Sequence, residues 1–173
     1  MSTVLGVACA GGVVLAGDRV AVTDGHVRSR SRRHVFDFGS VGAAVVGGDV
    51  DGFSDRLESE VRTYRTERGD LGIDPFTRLA SDLAAEFEVS ALLAARDDDH
   101  PALRAVTADG SVTTDDVAAF GSGASVALGA LEAGHDPEAT LDAATTLLRD
   151  AIDAAAERDA GTGSEIDVYR LSV

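Results

Sequence analysis

The apolar pattern of this chain changes period four times, and that restricts the folds open to it. Strand-type patterning runs from Val4 to Ala8, resumes at Val13–Ala16, and continues through Ser31–Phe38 and Val41–Val46. Phe53, Leu57, Val61 and Tyr64 then recur every three or four residues, as do Phe76, Leu79, Leu83 and Phe87. Both sets read as the apolar faces of amphipathic helices. Short strand-like runs return at Val89–Ala95, Leu103–Thr107, Val112–Thr114 and Val117–Phe120. A helix follows from Gly121-Ser122-Gly123 to about Ala133, and Pro137 is expected to open a longer one carrying Leu141, Leu147, Leu148 and Ile152. Ile166–Leu171 closes the pattern as a strand. Strands segregated from paired helices give an α+β fold rather than alternating α/β. The expectation is two antiparallel sheets packed face to face with a helix pair outside each, a four-layer αββα sandwich. One domain spans residues 1–173 on this reading.

Turn and cap signals divide the elements. Gly11-Gly12 reads as the tight turn of a first hairpin, and Asp24-Gly25 as a second turn. The first helix should end near Gly69. The second should start with Asp74 as N-cap and Pro75 at its first helical position.

Charge narrows the function classes. Thirty acidic residues face fifteen basic ones for a net charge of −15, and every basic residue is Arg. Such a surface repels nucleic acid and anionic membranes. An acidic, Lys-free, Asp- and Ala-rich chain reads as a halophilic protein, from a cytoplasm salty enough to screen its self-repulsion. No apolar run approaches the roughly 18 residues of a membrane span. The single cysteine, Cys9, leaves no disulfide framework and no cysteine metal cluster. His26, His100 and His135 lack ligand spacing, so no metal is expected. Gly121-Ser122-Gly123 is too short for a phosphate loop and no Lys follows it, so no nucleotide or other cofactor is expected.

Four segments, in order and at compatible spacing, carry a resemblance: STVLGV at the start, LAGDR at Leu15–Arg19, GSGASVALGALEAG at Gly121–Gly134, and ERDAGTGSEIDVY at Glu157–Tyr169. Together with the element order they resemble the proteasome β-subunit branch of the N-terminal-nucleophile hydrolases. The resemblance implies a β-type subunit that lacks a propeptide, with Met1 trimmed to expose Ser2. Ser2 then falls where the family has its nucleophilic Thr, and its α-amine would help remove the hydroxyl proton. The resemblance also implies Asp18 as the active-site carboxylate, Ser122 and Thr162 as supporting hydroxyls, and Asp159 as the carboxylate behind them. Gly48 would supply the N–H that stabilises the oxyanion, and Val46 would line a small apolar substrate pocket. At the position of the family's catalytic Lys stands His34, in RRHVF.

His34 could pair with Asp18 and act on Ser2 as a Ser-His-Asp-like relay, or its shorter ring could fall short of the hydroxyl. Arg32 and Arg33 cannot serve as bases, since guanidinium keeps its proton. Two functions therefore follow. One is a peptide or amide hydrolase of the threonine-peptidase type with a Ser nucleophile, acting on peptides or unfolded proteins. The other is a catalytically inactive assembly or scaffolding protein on the same fold. The resemblance further implies a homo-oligomeric ring, with other proteasome-type subunits or an ATP-dependent unfoldase as partners.

Overall fold

A computed structural model describes residues 1–173. A first hairpin pairs β1 (Thr3–Cys9) with β2 (Gly12–Asp18), and a small second one pairs β3 (Ala21–Thr23) with β4 (His26–Ser29). After β5 (Val35–Asp37) and β6 (Gly42–Gly47) come α1 (Val50–Arg68) and α2 (Ile73–Phe87). Four strands follow: β7 (Val89–Asp97), β8 (His100–Val106), β9 (Val112–Thr113) and β10 (Val117–Gly121). The chain ends with α3 (Ala124–Gly134), α4 (Leu141–Ala156) and β11 (Ile166–Ser172).

Two main sheets form, in strand orders β10-β1-β2-β11 and β5-β6-β7-β8-β9, and all neighbouring strands in them pair antiparallel. Alternation decides what each face touches. On β1 and β2, Val4, Val13 and Leu15 meet Ala44, Val46, Leu92 and Leu103 of the other sheet. The intervening Leu5, Val7, Val14 and Ala16 pack on Leu131, Leu148 and Ile152 of α3 and α4. The opposite face of the five-stranded sheet buries Ala43, Val45 and Leu93 against Phe53, Leu57 and Phe76 of α1 and α2. Three apolar layers thus separate helices, sheet, sheet and helices, which is the αββα sandwich. Tyr169 of β11 crosses between the sheets, its hydroxyl donating to the Gly39 carbonyl at 2.9 Å.

Local boundaries differ from the sequence reading, among other places, at one turn and two helix starts. The β1–β2 turn residues are Ala10-Gly11, because Cys9 already pairs with Gly12. Helix α2 starts at Ile73 behind an N-cap at Gly72, not at Asp74, and no side chain caps it. Burial of Ile73 draws that residue into the first turn, where Pro75 is tolerated because its missing N–H has no helical acceptor. Helix α4 begins at Leu141 rather than at Pro137; the Thr140 hydroxyl accepts from the Ala143 N–H at 3.2 Å and so fixes the start. The Pro137 carbonyl instead accepts the Ala10 N–H. No helix is long and apolar enough to cross a membrane.

Candidate active site

Strand register gathers the residues around Ser2. Thr3 pairs with Gly121 on one side of β1, and Val4 pairs with Gly17 on the other. One step further along, Ser2 lies beside Ser122 and Thr3 beside Asp18. The Ser2 carbonyl accepts the Ser122 N–H at 3.0 Å, and the Thr3 N–H donates to Asp18 Oδ1 at 2.9 Å. Gly121 sits at φ 109°, and a side chain there would collide with the Ser2 carbonyl. Only glycine lets β10 approach the head of β1 so closely.

Asp18 is fully buried and acts as a hub for three strand ends. Its Oδ2 accepts the N–H groups of Gly163 at 2.8 Å and Val20 at 3.3 Å, besides the Thr3 bond to Oδ1. Burial pushes its carboxyl up from the usual range, more than these N–H groups and nearby His34 hold it down.

His34 is also buried, but it does not bond the Asp18 carboxylate. Its Nδ1 lies 2.7 Å from the Asp18 main-chain carbonyl, which can only accept, so Nδ1 carries the proton. Nε2 of the neutral ring is therefore the acceptor. Burial lowers the imidazole pKa, only partly offset by that hydrogen bond and the Asp18 charge. A Ser-His-Asp relay through the carboxylate is thus not assembled: His34 bonds the Asp18 main chain, while the carboxylate accepts three backbone N–H groups.

A second network stands behind Ser2. Asp159 Oδ2 accepts from Ser122 Oγ at 2.5 Å and Thr162 Oγ1 at 2.6 Å, and Oδ1 accepts the Gly161 N–H at 3.1 Å. With its proton committed to Asp159, Thr162 Oγ1 accepts the Thr3 hydroxyl at 2.7 Å, and Thr3 Oγ1 in turn accepts the Gly123 N–H at 2.9 Å. Each hydroxyl uses its one proton once. Burial raises the Asp159 carboxyl, but the Ser122 and Thr162 hydroxyls, the Gly161 N–H and the positive N-terminus outweigh it and leave it below its ordinary value.

In front of Ser2 opens a cavity of about 560 Å³. Ser2, His34, Val46, Gly47, Ser122 and Arg32 are among its lining residues, whereas Asp18, Asp159, Thr162 and Gly48 are not. Gly48 corrects an expectation. Its N–H donates to the Glu88 carbonyl at 2.9 Å, extending the β6–β7 ladder, and is not free for an oxyanion. Val45 N–H points the other way, to the His34 carbonyl at 2.8 Å. By strand alternation Gly47 N–H faces that same side, beyond the start of β5, and Gly47 with φ 116° lines the cavity.

The Met1 α-amine donates to the Val22 carbonyl at 2.7 Å, and Met1 is among the residues lining the cavity. Sequence reasoning missed Thr3, Gly47, Gly163 and Arg32. The signal for Gly47 lay in alternation counted from Val45; nothing in the sequence singled out Thr3. No cluster of three or more His, Cys, Asp or Glu is arranged to hold a metal ion.

A family profile described as "Proteasome subunit" matches residues 1–171. The chain is 32% identical to a proteasome subunit beta of Halorubrum lacusprofundi over 174 residues, covering 96% of this chain and 72% of that protein. It is 28% identical to a proteasome subunit beta of Methanothrix thermoacetophila, covering 99% and 87%, respectively. With a proteasome subunit beta of Haloquadratum walsbyi the identity is 29%, over 96% and 72%.

Proposed function

The chain belongs to the proteasome β-subunit family, and from that premise we propose a peptide or amide hydrolase that works from Ser2 once Met1 has been removed. The observation that carries this reading is the convergence of Ser2, His34, Gly47 and Ser122 on one cavity, with Asp18 and Asp159 fixing them from behind. Removal of Met1 converts the Ser2 nitrogen from a peptide N–H into an amine with a pKa of about 8, able to take the hydroxyl proton. Ser2 Oγ then attacks the substrate carbonyl, and the developing oxyanion accepts the Gly47 N–H. The proton passes to the leaving amine, and water hydrolyses the Ser2 ester. Neutral His34 offers Nε2 as a second proton acceptor on the same cavity wall. Ser122, whose own proton is held by Asp159, keeps lone pairs to orient the Ser2 amine. Replacing Ser2 with Ala should abolish turnover of a fluorogenic peptide; unchanged turnover would end this reading.

His34 in place of the family's Lys favours a second reading, an inactive assembly protein, to which a Met1 left on the chain would add. With Met1 present, its α-amine is tied to Val22 and Ser2 has no free amine. Retention of Met1 on the mature protein would leave the site without its base. In either case the protein is proposed to be a single domain that assembles into a homo-oligomeric ring in the cytoplasm. It would work with proteasome-type subunits or an ATP-dependent unfoldase that delivers peptides or unfolded chains.

A further inference from the structure

The cavity departs from the acidic character of the rest of the chain. Acids outnumber bases thirty to fifteen overall, yet no Asp or Glu lines the cavity. Its ionisable side chains are Arg32 and the neutral His34, so its one fixed charge is the Arg32 guanidinium. The same polarity continues outward along the β3–β4 hairpin, whose residues Ala21, Val22 and Thr23 form part of the wall. Arg28, Arg30, Arg32 and Arg33 fall within this hairpin and the segment after it, and no acid occurs between Asp24 and Asp37. Of the four only Arg32 has an ion-pair partner, Asp51 Oδ2 at 3.3 Å from Nη2. The Asp51 side chain is 69% exposed, so this pair is weakly held. A guanidinium has five donors in a planar fork, and Asp51 engages one nitrogen.

We infer that the cavity receives a carboxylate-bearing side chain of a polypeptide, with Arg32 as the group that recognises it. Val46 and Val50, both lining the cavity, would pack the methylenes of that side chain. This rests on the cavity being the substrate site of the proposed hydrolase. Arg28, Arg30 and Arg33, without acidic partners in the chain, extend the positive field to the rim, where it attracts acidic segments as they approach. A neutral apolar side chain would leave Arg32 with Asp51 alone, whereas a glutamate offers it a second, charge-assisted hydrogen bond.

The test is binding, so it does not depend on turnover. N-acetylated tetrapeptide amides differing only in a last residue of Glu, Gln or Leu are titrated into the Ser2→Ala protein, at a salt concentration that keeps it folded. The Glu peptide should bind about tenfold tighter than the Gln peptide, the scale of one charge-assisted hydrogen bond. Arg32→Gln should erase that difference. Asp51→Asn, which removes the competing acid, should widen it. Equal affinities for the three peptides, or a Glu preference that survives Arg32→Gln, would overturn the assignment. Both positions are partly exposed, and Asp51→Asn tests the same claim with the opposite sign should Arg32→Gln perturb the fold. A Ser2 that never reacts, in a protein that still prefers the Glu peptide, would remove the hydrolase reading and leave the binding assignment standing.

Discussion

At the scale of single residues, His34 stands where the family resemblance places a lysine, and its geometry decides which role it can play. Bonded through Nδ1–H to a carbonyl and lowered in pKa by burial, it is neutral at pH 7 with Nε2 free. Its folded-state pKa lies below the unfolded value of about 6.5, so the neutral ring persists as pH falls past that value and is lost only through the lower folded one. The stability contribution has the same sign: it is fully present above the unfolded pKa and is lost as pH falls through the folded one. We therefore expect kcat/KM to decline first as the Ser2 amine takes up a proton near pH 8, with a second acid limb below pH 6.5 from His34. His34→Gln, which keeps a donor for the Asp18 carbonyl but no titrating base, should lower kcat by about 10²-fold or more and remove that limb. A pH–rate series on both proteins checks this, and an unchanged limb in the variant would assign it to another group. The residue scale is also where the sequence was hardest to read. Asp18 and Ser122 were recognisable only through the family resemblance, and strand register then shows how they come to lie beside Ser2. The glycine pair was not, since adjacent residues of one strand point their N–H groups to opposite sides, and Gly48 turned out to serve the ladder.

Among the elements, the head of β1 depends on how closely its neighbours approach. Gly121 is the tightest point, because a methyl group there meets the Ser2 carbonyl and φ 109° disfavours any side chain. Gly121→Ala should cost about 2–4 kcal/mol of stability by thermal or denaturant unfolding, and should lower turnover further than that loss explains. Helix α4 buries Leu148 and Ile152 completely against the other side of β1 and β2. Leu148→Ala should destabilise by about 2–5 kcal/mol through the cavity it leaves, while spared activity in the folded fraction would separate packing from chemistry. Element types were legible because period two and period 3.6 are written into the apolar positions. Their boundaries were less so. A buried Ile73 overrode the Asp-Pro start signal of α2, and the Thr140 hydroxyl fixed the start of α4 four residues after Pro137. The third strand pattern, Ser31–Phe38, shortened to Val35–Asp37 because the arginine-rich residues before His34 stay largely solvated instead of joining the sheet.

Over the whole molecule the dominant quantity is the net charge of −15, spread over a surface whose ion pairs are few and largely exposed. Self-repulsion of that size weakens as the screening length shrinks from about 10 Å at 0.1 M salt to about 3 Å at 1 M. The melting temperature should therefore rise steadily with KCl over this range, measured by scanning calorimetry or intrinsic fluorescence; a flat dependence would contradict the halophilic reading. The αββα layering was legible in outline from element order alone, yet the place of Arg32 in the cavity wall was not, because it arises only when the segment before β5 folds against Ser2. Everything proposed for the chemistry passes through one group, the hydroxyl of Ser2 beside its own freed amine. The direct test is the intact mass of the protein purified in high salt, before and after exposure to an electrophilic β-lactone, with the adduct located by peptide mapping. Loss of the Met mass and a single adduct on Ser2 is the expected result. A retained Met1, or a free Ser2 that stays unlabelled, would contradict it and leave the assembly role in its place.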